Sequence, residues 1–277
     1  MIYTVIGGKG FIGSEIVKQL REAGEQVYVP EKLDEGVFTK ALGTVIYAAG
    51  HGDCANNPMK VLDSNVSYLV KMLESSQFDR FIYISSTRVY MNQQASCESA
   101  DLTVCAKDNR ALFNLTKLTA ENLVLNLVDK AIIVRPSNVY GLAVNSPLFL
   151  PSIVRDSIAK KEVNMYIRED YQKDYVSVVD VASAIYKLAK ADIQSNEIFN
   201  IASGRNTRAD TIAKVLTDKT GCKVNWFESN VNEAFSEVDI SKLQSVIDFS
   251  PATIEDDLES MINSFTELYN KHESFTL

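Results

Sequence analysis

The 277-residue chain is short of the side chains that build metal and thiol chemistry. It has two histidines, His51 and His272, far apart in the chain. Neither a zinc site nor a histidine-based nucleophile triad is easily assembled from them. The four cysteines, Cys54, Cys97, Cys105 and Cys222, form no CxxC pair, which predicts reduced, unpaired thiols and no metal site. No apolar run is long enough to span a bilayer, so no membrane partner is expected. The opening residues MIYTVIGG carry no basic stretch and run straight into glycines, unlike a signal peptide, and a cytoplasmic protein is expected. A basic excess is also missing. The net charge of −8 argues against a general nucleic-acid binder, although local fields leave room for an anionic small ligand. There is no internal repeat, low-complexity tract or long charge block. The length suits one large domain or two intimate ones.

What is present starts at the N-terminus. Ile2 to Ile6 is a β-rich run, followed by Gly7, Gly10 and Gly13 in a G-x-x-G-x-x-G spacing. From Phe11 the apolar residues Ile12, Ile16, Val17 and Leu20 recur at helical spacing, and Gly24 fits the residue that closes such a helix. Val27 to Val29 reads as the next strand. Glycines between a strand and a helix let backbone approach a pyrophosphate, whose charge the N–H groups and helix dipole favour. This predicts a dinucleotide cradle of Gly7, Gly10, Phe11, Ile12 and Gly13. Strand two ends at Pro30-Glu31-Lys32. An acid there bonds ribose hydroxyls and a cation tolerates a 2′-phosphate, so Glu31 points to NAD and Lys32 leaves NADP open.

Further apolar, β-rich runs, TVIYAAG (44–50), RFIYISS (80–86) and AIIVRPSNVYG (131–141), alternate with helical segments near 63–76, 109–129 and 179–191. That alternation predicts an α/β fold with a doubly wound parallel sheet. Ligands bind beyond the carboxyl ends of such strands. Ala48, Ala49 and Gly50, Ser85 with Ser86 and Thr87, and Pro136 with Asn138 all fall there. Between strand two and TVIYAAG, LDEGVFTKALG has room for only one short helix. The chain is read as a dinucleotide-binding Rossmann unit over 1–145, with 174–203 returning to it. The remainder of 146–277 forms a smaller substrate-binding lobe, with helices at RADTIAKVLTDKTG and TIEDDLESMINSFTELYNK.

GGKGFIGSEIVKQL, TVIYAAG, YISSTRVY (83–90), FNLTKLTAE (113–121), VRPSNVYG (134–141), KDYVSVVDVASAI (173–185) and FNIASG (199–204) follow one another in an order with a known counterpart. The chain resembles the extended short-chain dehydrogenase/reductases, the NAD-dependent epimerase/dehydratase family. Its glycine spacing is the variant typical of that group. The resemblance implies a nicotinamide cofactor, NAD or NADP, and a nucleotide-diphosphate sugar as substrate. It also implies a homodimer built on the helices at 63–76 and 109–129.

In that family a Ser or Thr, a Tyr and a Lys act together. The tyrosine exchanges the proton, and the lysine one turn on lowers its pKa and holds the nicotinamide ribose. Matched residue by residue, Ser86 takes the hydroxyl position and Lys117 the lysine position. Phe113 stands where the tyrosine belongs. Alternatively, Lys117 is a surface lysine paired weakly with Glu121. The sequence leaves open whether Phe113 is natural or an engineered replacement. Related sugar 4,6-dehydratases carry Asp-Glu after the serine. Thr87 and Arg88 occupy those places here, which disfavours dehydration.

On the substrate side, Asn138 matches an asparagine that contacts the diphosphate, and Leu150 lies where relatives wrap the nucleotide. Lys173 replaces a clamping arginine, keeping the charge and losing the bidentate fork. Ser86, Thr87 and Arg88 complete the expected substrate contacts. Tyr90 and Tyr140 are read as core residues. Asn65 is read either as a helix cap or as the family's buried structural asparagine. The resulting expectation is a 4-keto-sugar reductase of surface-polysaccharide biosynthesis. A nucleotide-sugar 4-epimerase and a catalytically silent binding protein are the alternatives. The sugar and its nucleotide stay unspecified.

Overall fold

In the computed structural model, residues 1–32, 34–143, 146, 148–228 and 233–272 are described. The expected boundary at 145 and part of the NSPLFLPSIV segment lie outside them. Strands β1 (Ile2–Ile6), β2 (Gln26–Tyr28), β3 (Thr44–Tyr47), β4 (Arg80–Ile84) and β5 (Ile132–Pro136) are joined by a later strand, β9 (Glu197–Ile201), in one parallel sheet. The order is β2-β1-β3-β4-β5-β9. Every residue of β3 and of β5 is buried, because helices cover both faces, and this explains their unbroken apolar runs.

Helix α1 (Phe11–Glu22) buries Ile16, Val17 and Leu20 on one face of the sheet. Each such residue contributes roughly 1.5–3 kcal/mol by leaving water. It ends where expected, with Gly24 at φ +78°. The opposite face is covered by α3 (Tyr68–Ser75) and α4 (Ala111–Leu127), and α2 (Pro58–Leu62) packs against α4. Between α2 and α3 the chain makes a π-helical turn, Asp63–Ser67. Among the described residues only β2 lies beyond β1. Among the described residues between β2 and β3 the one helical element is a 3-10 turn at Glu35–Phe38, in keeping with the short connection.

The remaining strands are β6 (Asn138–Tyr140), β7 (Glu162–Met165), β8 (Gln172–Ser177), β10 (Asn206–Arg208) and β11 (Lys223–Trp226). β6, β8 and β10 form a second sheet, and β7 pairs with β11. Helices α5 (Phe149–Ala159), α7 (Ala209–Thr220) and α9 (Ile254–His272) pack with them around a separate apolar cluster containing Val154, Leu216 and Phe265. α6 (Val178–Lys190) lies beside α1, and a short α8 (Ser241–Val246) packs near β9. β8 therefore belongs with β6 and β10. The chain rejoins the main sheet through α6 and β9, not from residue 174 itself. Among the described residues no helix is long and apolar enough to cross a membrane.

Candidate active site

The direction of winding reverses between β1 and its neighbours β2 and β3, and the crevice this opens is where α/β sheets hold ligands. Gly7 turns there with φ +79°, and a Cβ on it would lie 2.7 Å from the Ala49 backbone nitrogen. A Cβ on Gly13 would collide with the Gly7 carbonyl. Gly10 caps α1 without a side-chain bond, and the first turn holds no acid. The exposed N–H groups and the positive helix end suit a pyrophosphate. Phe11 and Ile12 pass from this turn into the adjoining cleft.

Other expected cofactor residues sit at or just beyond the carboxyl ends of the strands. Ala48, Ala49 and Gly50 follow β3, and a Cβ on Gly50 would come 3.4 Å from Lys117 Nζ. Ser85 is buried at the end of β4 with its Oγ unbonded, a polar atom suited to a ligand partner. Pro136 ends β5. At the end of β2, Glu31 pairs with Lys9 of the glycine turn, and both Glu31 and Lys32 are exposed. The crevice, the missing side chains and the uncapped helix fit a dinucleotide.

Lys117 is 5% exposed, and its Nζ donates to the Ile84 carbonyl at 2.8 Å. Burial lowers its pKa to about 8, and the nearby Glu121 opposes that shift only in part. The surface pairing with Glu121 does not form, because Glu121 binds Arg135 through both carboxylate oxygens, at 3.0 and 2.5 Å. Arg135 also donates to the Tyr90 hydroxyl at 2.7 Å, and that hydroxyl donates to Asn200. Tyr90 and Tyr140 are buried core residues, as expected. Asn65 is fully buried in the π-turn. Its amide bonds the His51 carbonyl at 3.2 Å and Thr116 Oγ1 at 3.0 Å, and its oxygen accepts from the His51 N–H. It is a cross-brace between the loop after β3 and α4, and the capping reading is dropped.

Phe113 lies one turn before Lys117, whose Nζ is 5.8 Å from its ring centre. The Arg110 guanidinium lies over the same ring, 4.8 Å from its centre. Gly52 closes over both, since a Cβ there would be 3.3 Å from Arg110 and 3.8 Å from Phe113. Ser86 begins a short 3-10 turn, Thr87–Tyr90, and its Oγ accepts the Arg88 N–H at 3.1 Å.

Ser86, Thr87 and Arg88 form one wall of a cleft of about 510 Å³. Asn138, Leu150 and Lys173 line it from the side of the second sheet. Asn138 donates its amide to the Asp174 carbonyl at 2.8 Å. Lys173 is not a solvated loop charge: it sits on β8, packed near the Tyr171 and Phe235 rings. Sequence reasoning missed Glu233. Its carboxylate bonds Arg88 at 2.9 Å, Lys173 at 3.1 Å and the Tyr171 hydroxyl at 3.1 Å. Burial pushes its pKa up, but the Arg88 bond and the Lys173 charge outweigh that and bring it to about 2. Nothing in the local pattern around Glu233 marked it. Arg110 was also missed, although a cation three residues before Phe113 on a helix is a readable signal.

A family model described as the NAD dependent epimerase/dehydratase family matches residues 3–202. A UDP-glucose 4-epimerase of Halalkalibacterium halodurans is 24% identical, over 80% of this chain and 81% of that protein. A GDP-6-deoxy-D-talose 4-dehydrogenase of Aggregatibacter actinomycetemcomitans is 26% identical, over 85% of this chain and 84% of that one. The solved structure of MoeE5 in complex with UDP-glucuronic acid and NAD superposes with a TM-score of 0.83 at 20% identity, covering 97% of this chain and 99% of that chain. The family match spans the glycine turn, Ser86, position 113, Lys117 and β9, and the chain belongs to the NAD-dependent epimerase/dehydratase family.

Proposed function

We propose that the protein is an NAD(P)-dependent oxidoreductase of nucleotide-diphosphate sugars, and a 4-keto-sugar reductase in surface-polysaccharide synthesis. The observation that carries this reading is Lys117, buried between Gly50 and the Phe113 ring, together with a cleft lined by Ser86, Arg88, Arg110 and Lys173. A nicotinamide cofactor seated on Gly7, Gly10 and Gly13 supplies hydride exchange. The residues of the chain do the rest. Lys117 holds a positive charge behind position 113, Ser86 Oγ offers a hydrogen bond to the sugar oxygen, and Arg88 and Lys173 hold the diphosphate. Phe113 keeps the shape of a tyrosine but moves no proton.

The test is Phe113→Tyr. Restoring a positioned acid/base should raise turnover by about 10²–10⁴-fold. It is read as NADH or NADPH oxidation against UDP-, dTDP- and CDP-linked 4-keto sugars. A tyrosine form that binds cofactor and oxidises it with none of these ends the reductase reading. The named 4-epimerase relative supports a second reading, in which the same variant interconverts C4 epimers without net cofactor turnover. Phe113 itself supports a third, a binding protein that never turns over.

We also infer a homodimer in the cytoplasm. The segments 58–75 and 111–127 leave Met59, Leu62, Leu115 and Leu127 exposed, a face suited to a second copy. Sedimentation of Leu115→Glu as a monomer, against a dimeric parent, checks it.

A further inference from the structure

Arg110 is the one cleft cation that has no partner among the described residues. Arg88 is bonded by Asp108 at 2.8 Å and by Glu233 at 2.9 Å, and Lys173 is bonded by Glu233. The Arg110 guanidinium makes no hydrogen bond or ion pair to any described residue, although its backbone N–H donates to Asp108. It is half-buried, over the Phe113 ring and close to Gly52. Burial, and then the like charge of Arg88, lowers its pKa, so its charge is held at a cost until an anion arrives. Arg110 also caps α4, a helix of 17 residues with no side-chain cap and no acid in its first turn. The helix dipole therefore adds to the same attraction.

The position of this charge matters as much as its sign. It lies over the ring at position 113, beside the reacting centre of the proposed site, whereas Arg88 and Lys173 of the same charged cluster are bonded to Glu233. A diphosphate drawn to Arg88 and Lys173 leaves Arg110 for a group on the sugar. In a hexuronic acid the carboxylate is carried by the carbon next to C4. We propose that Arg110 selects a nucleotide-diphosphate sugar bearing a carboxylate beside the reacting carbon. The proposal rests on the nucleotide-sugar reading above.

Binding is measured by calorimetry on the cofactor-loaded protein, with UDP-glucuronic acid against UDP-glucose and GDP-mannuronic acid against GDP-mannose. UDP and GDP alone are controls. The acid of at least one pair is expected to bind about 10- to 100-fold tighter than its neutral partner, the range for a charge-assisted hydrogen bond shielded from water. Arg110→Ala should bring that ratio to about one without weakening UDP or GDP, and Arg110→Lys should keep part of it. Equal binding of acid and neutral sugar, with the nucleotides still bound, overturns the role of Arg110 and leaves the nucleotide-sugar reading standing. A ratio that survives Arg110→Ala also overturns it. No binding of any of the six compounds overturns both.

Discussion

Between α4 and β5, Glu121 holds Arg135 with both oxygens, Arg135 reaches Tyr90, and Tyr90 reaches Asn200. Every member of that chain is buried and bonded. In the cleft, Arg88, Arg110, Lys173, Asp108 and Glu233 make a cluster of similar size with gaps in it: Arg88 Nε is buried and unbonded, and the Arg110 guanidinium has no described partner. A closed network gains nothing from a ligand and serves to hold α4 against the sheet. An open one carries its deficit until a ligand supplies the missing groups. The contrast separates charges that hold the site from charges that use it.

Breaking the closed network should have the largest effect. Glu121→Ala strands Arg135 in the interior, and urea unfolding should show a loss of about 3–5 kcal/mol. A loss below 1 kcal/mol would mean the network is not the brace described here.

Lys117 stands between the two networks, and its effect depends on pH. Its folded pKa, about 8, is below the ordinary 10.5. The unfolded chain therefore binds more protons between those values, and stability rises with pH across that window. The melting temperature of the parent, relative to Lys117→Met, should climb as pH goes from about 8 to 10.5. A flat difference would show that Lys117 is not desolvated.

The smallest change is expected in the open cluster. Glu233→Gln removes the carboxylate that occupies Arg88 and Lys173, and UDP should then bind roughly tenfold tighter, about one charge-assisted bond. Weaker UDP binding in that variant would place Glu233 among the ligand contacts instead. Its lowered pKa gives a second check. The stability it contributes is present above 4.5 and is lost as pH falls toward about 2, so parent and variant should converge over that range.

The glycine turn, the strand ends and the helix carrying Lys117 were legible because each rests on a local rule. Gly7 and Gly13 answer to backbone space, and the apolar runs of β3 to β5 answer to burial on both faces. The spacing of Phe113 and Lys117 answers to one helical turn. The short connection before β3 was likewise visible as a count of residues. The π-turn that aims Asn65 at Thr116 was not legible, since an extra residue in a helical turn leaves no trace in apolar spacing. The expected return to the main unit at 174 took in part of β8, which pairs with the second sheet instead. Pairing with β6 and β10 depends on hydrogen bonds between segments distant in sequence.

The sequence by itself determined the family's order of motifs and the absence of a phenol at position 113, because local geometry and side-chain chemistry are properties of adjacent residues. Only the tertiary structure decided which charges are satisfied. Glu121 lies four residues from Lys117 yet pairs with Arg135, and Arg88 meets Glu233 across more than half the chain. Burial makes those partnerships strong, and burial is settled only when distant segments pack together.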